Sequence, residues 1–502
     1  MRKIIIIFKI ILISILSFLL SSSIYSDTRS RRYDFSNFEY LALTPEILAL
    51  GDRIDNVLEE YDSFDYQYAL KIVSLDIPQV FYDLNSHNSF IPASNLKVIT
   101  TAVAFSTLTP YFRWKTEFFL NDFGDLYIRA SGDPTWNNSF RTNMLNYIMT
   151  SVSDSLKAHR FTQVNNIIVD PGSFMDHDIG NGWRAENRLF AFSALPSPLA
   201  FNDNNVQIQI NPSRVGSPAR ITLYPANSGF TVINNVTTVS QRNRQNFDFA
   251  TEIHNNTVTV RGNIWDRSRT QYRSVAVPKP DIYSLHVLKE KLIENGINIR
   301  GNIYNYSMTG RDIIVNRYNE SFSIFSEPLY EVVNEINKSS NNFMSNQLFL
   351  TLAEQSWDNI HPETIIKNWL VTNNVITDSL SMSDGSGLSP LNRTTTDTLV
   401  SVLRIMSNSD YADEFLSSMA ISGIDGTLRN TFTSESLYGR VYAKTGYILG
   451  ARALTGYIAT ADNERLAFSF IINKNDSTIS NYYEIAEKVL TELALFTRNP
   501  QP

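Results

Sequence analysis

Apolar positions along this chain change their spacing several times, and each change marks a different kind of element. From Pro45 to Tyr61 the apolar residues Ile47, Leu48, Leu50, Ile54, Val57 and Leu58 fall at helical intervals. From Tyr68 to Tyr82 they alternate instead, with Leu70, Ile72, Val73, Leu75, Val80 and Phe81 grouped around Asp76 and Pro78, which predicts a β-hairpin. Pro92 then precedes Ala93-Ser94-Asn95-Leu96-Lys97, and apolar residues continue through Val98, Ile99, Ala102, Val103 and Phe105; this is a helix with a start signal. Between Phe112 and Asp266 short β-like runs dominate, at 116–120, 126–130, 167–169, 206–210, 219–223 and 257–260, punctuated by Asn, Asp, Gly and Pro. A helix is expected from Tyr283 to Glu294, closing at Gly296. Helical spacing returns over 329–352, 362–371 and 396–406. The chain then ends in three strands (441–443, 453–459 and 466–472) and an amphipathic helix over 482–496.

The two ends of the chain therefore read helix, hairpin, helix and strand, strand, strand, helix. One antiparallel sheet built from both ends and flanked by helices unites them, with a β-rich insertion between; the fold class is α+β. There is no internal repeat and no long low-complexity tract. A length of 502 residues is too long for one ordinary domain.

The first residues read as an export signal. Arg2 and Lys3 supply positive charge, an apolar run follows from Ile4 to Leu20, and small residues Ser21, Ser22 and Ser23 come next. Residues 1–26 are read as a signal peptide, which makes the protein exported, in the periplasm or cell envelope. An uncleaved segment would instead associate the protein with a membrane. Residues 27–38 are polar and read as poorly ordered.

Composition narrows the chemistry. The net charge is −7 and charged residues are 19% of the chain, which disfavours a nucleic-acid partner. Cysteine is absent, so disulfides, thiolate nucleophiles and Cys-based metal sites are excluded. The six histidines, at 87, 159, 177, 254, 286 and 361, form no close ligand pair, and neither a metal nor a cofactor is expected.

Three short motifs could carry a reaction. In Ser94-x-x-Lys97, at a helix start, positions three apart share a face, so the amine can reach the hydroxyl. Burial and nearby positive charge would lower the Lys97 pKa and make it a base. Ser340-Asn341-Asn342 offers a hydroxyl and amides for hydrogen bonding, and Lys444-Thr445-Gly446, after Val441-Tyr442-Ala443, offers a cation and a hydroxyl for a carboxylate. Gly446 would let substrate backbone approach. Alone, each has an ordinary explanation: a helix cap with a solvated lysine, a polar turn, a strand ending in a turn. In this order they match the S-x-x-K, S-x-N and K-T-G set of serine penicillin-recognising enzymes.

The chain resembles the DD-carboxypeptidase/DD-endopeptidase penicillin-binding proteins that carry a large insertion between the first two motifs. Phe81-Tyr82-Asp83-Leu84-Asn85, the approach Phe90 to Lys97, Gly132-Asp133-Pro134-Thr135, Pro196 to Asn202, Asp384-Gly385-Ser386-Gly387-Leu388-Ser389 and Gly423 to Leu428 are similar to segments of that family. The resemblance covers roughly residues 40 to 495. Two positions depart from it. Tyr447 stands where the family usually has Ser or Thr after the glycine, and Pro390 stands where it often has Arg.

The resemblance implies a β-lactamase/transpeptidase-like catalytic domain from residues 27–113 and 323–502. It implies a β-rich insertion over 114–322, with a nested subdomain at about 140–195. It implies a serine-type D-Ala-D-Ala carboxypeptidase or DD-endopeptidase acting on peptidoglycan stem peptides, with β-lactams as covalent inhibitors. Ser94 would be the nucleophile, and Lys97 would take its proton or orient it. Ser340 and Lys444 would pass a proton to the leaving amine. Asn342 would bond the substrate amide. Thr445, Gly446 and Tyr447 would line the substrate, and the Ser94 and Tyr447 N–H groups would form the oxyanion hole. A β-lactamase carries the same trio, but the long insertion and the 132–135 and 384–389 segments favour the peptidase. A non-catalytic cell-wall-binding relative would have lost some of Ser94, Lys97, Ser340, Asn342 and Lys444. A Ser-His-Asp hydrolase lacks its G-x-S-x-G elbow here.

Overall fold

A computed structural model describes residues 41–498, apart from 171–173, 175–178, 253–255, 306–319, 356–359 and 476. The expected signal peptide (1–26) and polar stretch (27–38) lie outside the described residues. Among the described residues no helix is long and apolar enough to cross a membrane.

Helix α1 (Pro45–Glu59) starts where Thr44 Oγ1 accepts from the Ile47 N–H and Pro45 presets the first turn. It buries Ile47, Leu50, Ile54 and Leu58, one stripe at helical spacing. The hairpin follows as β1 (Gln67–Ser74) and β2 (Val80–Leu84). A 3₁₀ turn over Ala93–Asn95 leads into α2 (Leu96–Leu108), so the α-helix proper begins two residues after Ser94. Leu96 through Phe105 are all buried, so α2 is a central core helix.

The insertion is richer in strands than its apolar runs predict, and it also contains a helix, at 144–158, that the sequence reading does not predict. Its elements are β3 (Lys115–Leu120), β4 (Leu126–Arg129), α3 (Met144–Ala158), β5 (Gln163–Val164), β6 (Ile167–Asp170), β7 (Asn205–Asn211), β8 (Arg220–Tyr224), β9 (Thr231–Val239), β10 (Asn246–Glu252), β11 (Thr257–Trp265), β12 (Gln271–Ala276), α4 (Pro280–Glu294), β13 (Asn298–Ile299), β14 (Ile303–Asn305) and β15 (Glu320–Phe325). They form a five-stranded sheet in the order β14-β6-β4-β3-β15, two three-stranded sheets and one two-stranded pair. These elements share one hydrophobic core, including Phe118, Ile148, Phe201, Val260 and Tyr283.

The chain returns through α5 (Leu329–Ser339), α6 (Asn342–Glu354), α7 (Pro362–Thr372), α8 (Thr396–Ser407) and α9 (Ala412–Ser418). The predicted helix over 329–352 is thus two helices broken at Ser340 and Asn341. Strands β16 (Ala420–Ile421), β17 (Val441–Ile448), β18 (Ala451–Ala459) and β19 (Arg465–Asn473) precede α10 (Tyr482–Leu495). The main sheet has the order β16-β17-β18-β19-β1-β2 and is antiparallel throughout. Both ends of the chain build it, as the pattern predicts. Strands β1 and β19 are buried along nearly their whole length because both faces of the sheet are covered. One face packs on α2, α5, α6 and α8, and the other on α1 and α10.

Candidate active site

The site lies where α2 begins against β17, with the α5–α6 corner closing one side. Ser94 sits in the 3₁₀ turn, directly after Ala93, whose φ of 47° is in the left-handed region. A β-carbon makes that conformation costly, and the surroundings hold it in place. The Asn473 side chain accepts from the Ile91 N–H at 2.8 Å and donates to the Ile91 carbonyl at 3.1 Å, pinning the approach to the turn. Asn95 Nδ2 donates to Thr455 Oγ1 at 2.6 Å. Two glycines permit the close packing. A β-carbon on Gly446 would lie 2.9 Å from the Pro92 carbonyl oxygen, and one on Gly387 would lie 1.8 Å from the Ala93 carbonyl oxygen.

Lys97, the second residue of α2, is 0% exposed. Its Nζ is 2.9 Å from Ser94 Oγ, 2.7 Å from Asn342 Oδ1 and 2.6 Å from the Ser386 carbonyl oxygen. The Asn342 amide is oriented by its other end, which donates from Nδ2 to the Phe192 carbonyl at 3.0 Å. Two of the three Lys97 partners can only accept; the Ser94 hydroxyl can also donate. As an ammonium, Nζ donates to all three; as a neutral amine it gives two N–H bonds and can take the Ser94 proton on its lone pair. Burial lowers the Lys97 pKa to about 7, partly offset by the Asp384 carboxylate. The geometry and the electrostatics therefore agree on an amine able to take the proton of Ser94.

The Ser340-Asn341-Asn342 motif occupies the corner between α5 and α6. Ser340 has a φ of 62°, ending α5, and the Asn341 side chain caps α6 by accepting from the Met344 N–H at 2.9 Å. The corner thereby turns Ser340 toward Lys444 and Asn342 toward Lys97. Lys444 Nζ donates to Ser340 Oγ at 2.9 Å and to the Thr445 carbonyl at 2.8 Å. Lys444 is also 0% exposed, and burial, together with the Lys97 charge, pushes its pKa well below the ordinary lysine range.

Strand β17 runs through the K-T-G motif without turning. It pairs with β16 only at Tyr442 and Ala443, so the edge from Lys444 to Tyr447 has no strand partner among the described residues. The Thr445 carbonyl meets Lys444 Nζ and so faces this open edge; a strand repeats every second residue, which turns the Tyr447 N–H the same way. The Tyr447 side chain does not join the cleft chemistry. It is 52% exposed, and the Arg452 guanidinium lies 3.8 Å from its ring centroid, from the directly opposite position on β18.

The five expected side chains lie together in two neighbouring hydrogen-bonded groups, Ser94–Lys97–Asn342 and Ser340–Lys444, with Thr445 and Gly446 beside them. Comparison with known proteins places the chain in a family. The family pattern described as D-Ala-D-Ala carboxypeptidase 3 (S13) matches residues 50–492, nearly the whole described chain. The chain belongs to this D-Ala-D-Ala carboxypeptidase 3 family.

Relatives in this family include the penicillin-sensitive carboxypeptidase A of Dictyostelium discoideum, 24% identical over 459 residues, covering 83% of this chain and 84% of that protein. The D-alanyl-D-alanine carboxypeptidase DacB of Haemophilus influenzae is 24% identical over 413 residues, covering 79% of this chain and 83% of that protein. The crystal structure of penicillin binding protein 4 from Haemophilus influenzae shares the fold, with a TM-score of 0.74 at 21% identity, covering 88% of this chain and all of that one.

Several groups of this S13 site escaped the reading of the three motifs. Asp384 is buried beneath Lys97 and organises its own loop. Its Oδ1 accepts from the Ser386 and Gly387 N–H groups at 3.0 and 2.7 Å, and its Oδ2 accepts from the Ser389 N–H and from Trp183 Nε1, both at 2.8 Å. That loop delivers the Ser386 carbonyl to Lys97. Asp203 and Phe192, in the insertion, hold Asn341 and Asn342. Thr427 meets Thr445 across the open edge of β17. The 384–389, 196–202 and 423–428 segments were visible as family wording, but wording does not say which side chain reaches the cleft.

Proposed function

We propose that the protein hydrolyses the bond between the last two D-alanine residues of peptidoglycan stem peptides through an acyl-enzyme on Ser94. Lys97 takes the Ser94 proton as the hydroxyl attacks the carbonyl. The N–H groups of Ser94 and Tyr447 receive the oxyanion. Ser340, bonded to Lys444, hands a proton to the leaving amine, and Asn342 bonds the substrate amide. Lys444 and Thr445 take the terminal carboxylate; its charge raises the affinity of Lys444 for a proton as substrate arrives. Water then releases the acyl group. The single observation that carries this reading is the Lys97 amine, 2.9 Å from Ser94 Oγ, with two obligate acceptors for its hydrogens.

β-Lactams would acylate the same serine, which favours a penicillin-binding peptidase over a β-lactamase where turnover of the adduct is slow. The intact cluster favours an enzyme over a wall-binding relative. The apolar N-terminal segment supports export to the periplasm or cell envelope, with membrane association if it is retained. The hydrophobic cores support a catalytic domain of residues 27–113 and 323–502 around an insertion at 114–322; the nested unit proposed at about 140–195 has no core of its own among the described residues and shares that of the insertion.

Purified protein incubated with muropeptides of known cross-linking tests the activity. Loss of one D-alanine marks carboxypeptidase action, and separation of a cross-linked dimer into monomers marks endopeptidase action. Unchanged muropeptides under conditions where the protein is folded refute the proposal.

A further inference from the structure

Resting on that reading, we infer that Thr427 is a second hydroxyl for the substrate's terminal carboxylate, in place of the one that Tyr447 cannot supply. The position after the K-T-G glycine carries a tyrosine whose ring packs against Arg452, so no short Ser or Thr hydroxyl follows the glycine beside Thr445. Thr427 fills the gap from another loop. Thr445 Oγ1 donates to Thr427 Oγ1 at 2.8 Å, so the two hydroxyls sit side by side at the open edge of β17, next to buried Lys444. A carboxylate has two oxygens and accepts several hydrogen bonds. Two adjacent hydroxyls beside a lysine suit it: Thr445 rotates its hydrogen from Thr427 onto one oxygen, and Thr427 donates its own hydrogen as well.

The loop that carries Thr427 is held firmly enough to make this a site. Asp425 accepts from the Ile421 N–H at 2.9 Å and pairs with Lys338, on the helix that ends at Ser340. Gly423 N–H donates to the Leu428 carbonyl at 3.0 Å. Gly426, with a φ of 55°, has no room for a β-carbon, which would lie 2.8 Å from both Ala420 Cβ and the Lys338 carbonyl oxygen. Thr427 is therefore fixed relative to both Ser340 and Lys444 before substrate arrives, as a specificity contact requires.

The test compares acylation by benzylpenicillin, which bears the carboxylate, with acylation by its methyl ester, followed by intact-protein mass. Wild type should react faster with the acid. T427V, which keeps the shape and removes the hydroxyl, should slow the acid by roughly tenfold to a hundredfold, the worth of a hydrogen bond to a charged group, and leave the ester unchanged. T427S should keep the acid preference. An unchanged acid-to-ester ratio in T427V overturns the assignment of Thr427, as does an equal loss with both probes, which would mark a merely structural role. A wild type that neither probe acylates overturns the reading of the site itself, a result distinct from either.

Discussion

Asp203 of the insertion accepts a hydrogen bond from Asn341 Nδ2 at 2.9 Å, in the corner that places Ser340 and Asn342. Its other oxygen accepts from Asn137 Nδ2 at 2.6 Å. Together with the Phe192 carbonyl on Asn342, this makes the insertion a wall of the reactive centre. The insertion thus holds the corner in place, and the core sheet and helices carry the five clustered side chains.

Replacing Asp203 with Leu should therefore slow acylation without touching a reacting group. Two amides lose their acceptor, costing about 1–3 kcal/mol of stability. Loss of the corner's register should slow acylation by roughly tenfold to a hundredfold. Penicillin-binding rates and thermal melting on the same samples check both; an acylation rate equal to wild type would contradict the role given to the insertion.

The Lys97 amine sets the expected pH profile. Burial brings its pKa from the ordinary 10.5 to about 7, so the neutral base is the minority form below pH 7. Acylation of Ser94 should rise with pH up to about 7 and then level off. Stability has the same sign. Below about 7 the folded state bears the full cost of a buried charge; between about 7 and 10.5 the unfolded chain still binds a proton that the folded state has released, so stability climbs with pH. The Asp384 charge holds the Lys97 pKa up, so D384N should move the midpoint of the rate profile to lower pH. Stopped-flow acylation from pH 5 to 9 reads the midpoint in both proteins.

Gly387 tolerates no side chain. Its φ is 80°, and a β-carbon would lie 1.8 Å from the Ala93 carbonyl oxygen, a backbone atom that cannot move aside without shifting Ser94. G387A should cost at least about 2 kcal/mol and strongly reduce penicillin labelling. Calorimetry and gel labelling check it. A mere loss of stability with normal labelling would mean that the loop does not govern the nucleophile.

Much of this was legible in the residue order. The amphipathic stripe of α1, the alternation of the first hairpin and the three closing strands carry strong periodic signals because each packs on a large core. The inserted strands were harder. Strand β9 alternates in exposure, but its inward positions include Asn234 and Thr238 while Ile233 faces out, so polarity does not mark the buried face, and it pairs parallel with β11, a non-local contact. Helix α3 buries Met144, Leu145, Ile148, Met149, Val152 and Leu156 at helical spacing, yet it lies in a region dominated by strand-like runs, and no element is predicted for it. The break in the 329–352 helix was hidden because apolar spacing continues across Ser340 and Asn341.

For the site, three motifs in order picked out the five side chains that the fold gathers at the cleft. What they could not supply was the second set: Asp384, Ser386, Phe192, Asp203 and Thr427. Those act through a carbonyl, a buried carboxylate or a hydroxyl brought from a distant loop. Such roles follow from where the chain folds rather than from residue type at a local spacing.

The central claim is that Ser94 becomes covalently acylated. The most direct measurement is peptide mapping by mass spectrometry after incubation with benzylpenicillin, on wild type and on S94A. A penicilloyl adduct on the peptide containing Ser94, absent from folded S94A, is the predicted result. An adduct that survives the S94A substitution, or that maps to another peptide in wild type, would contradict it.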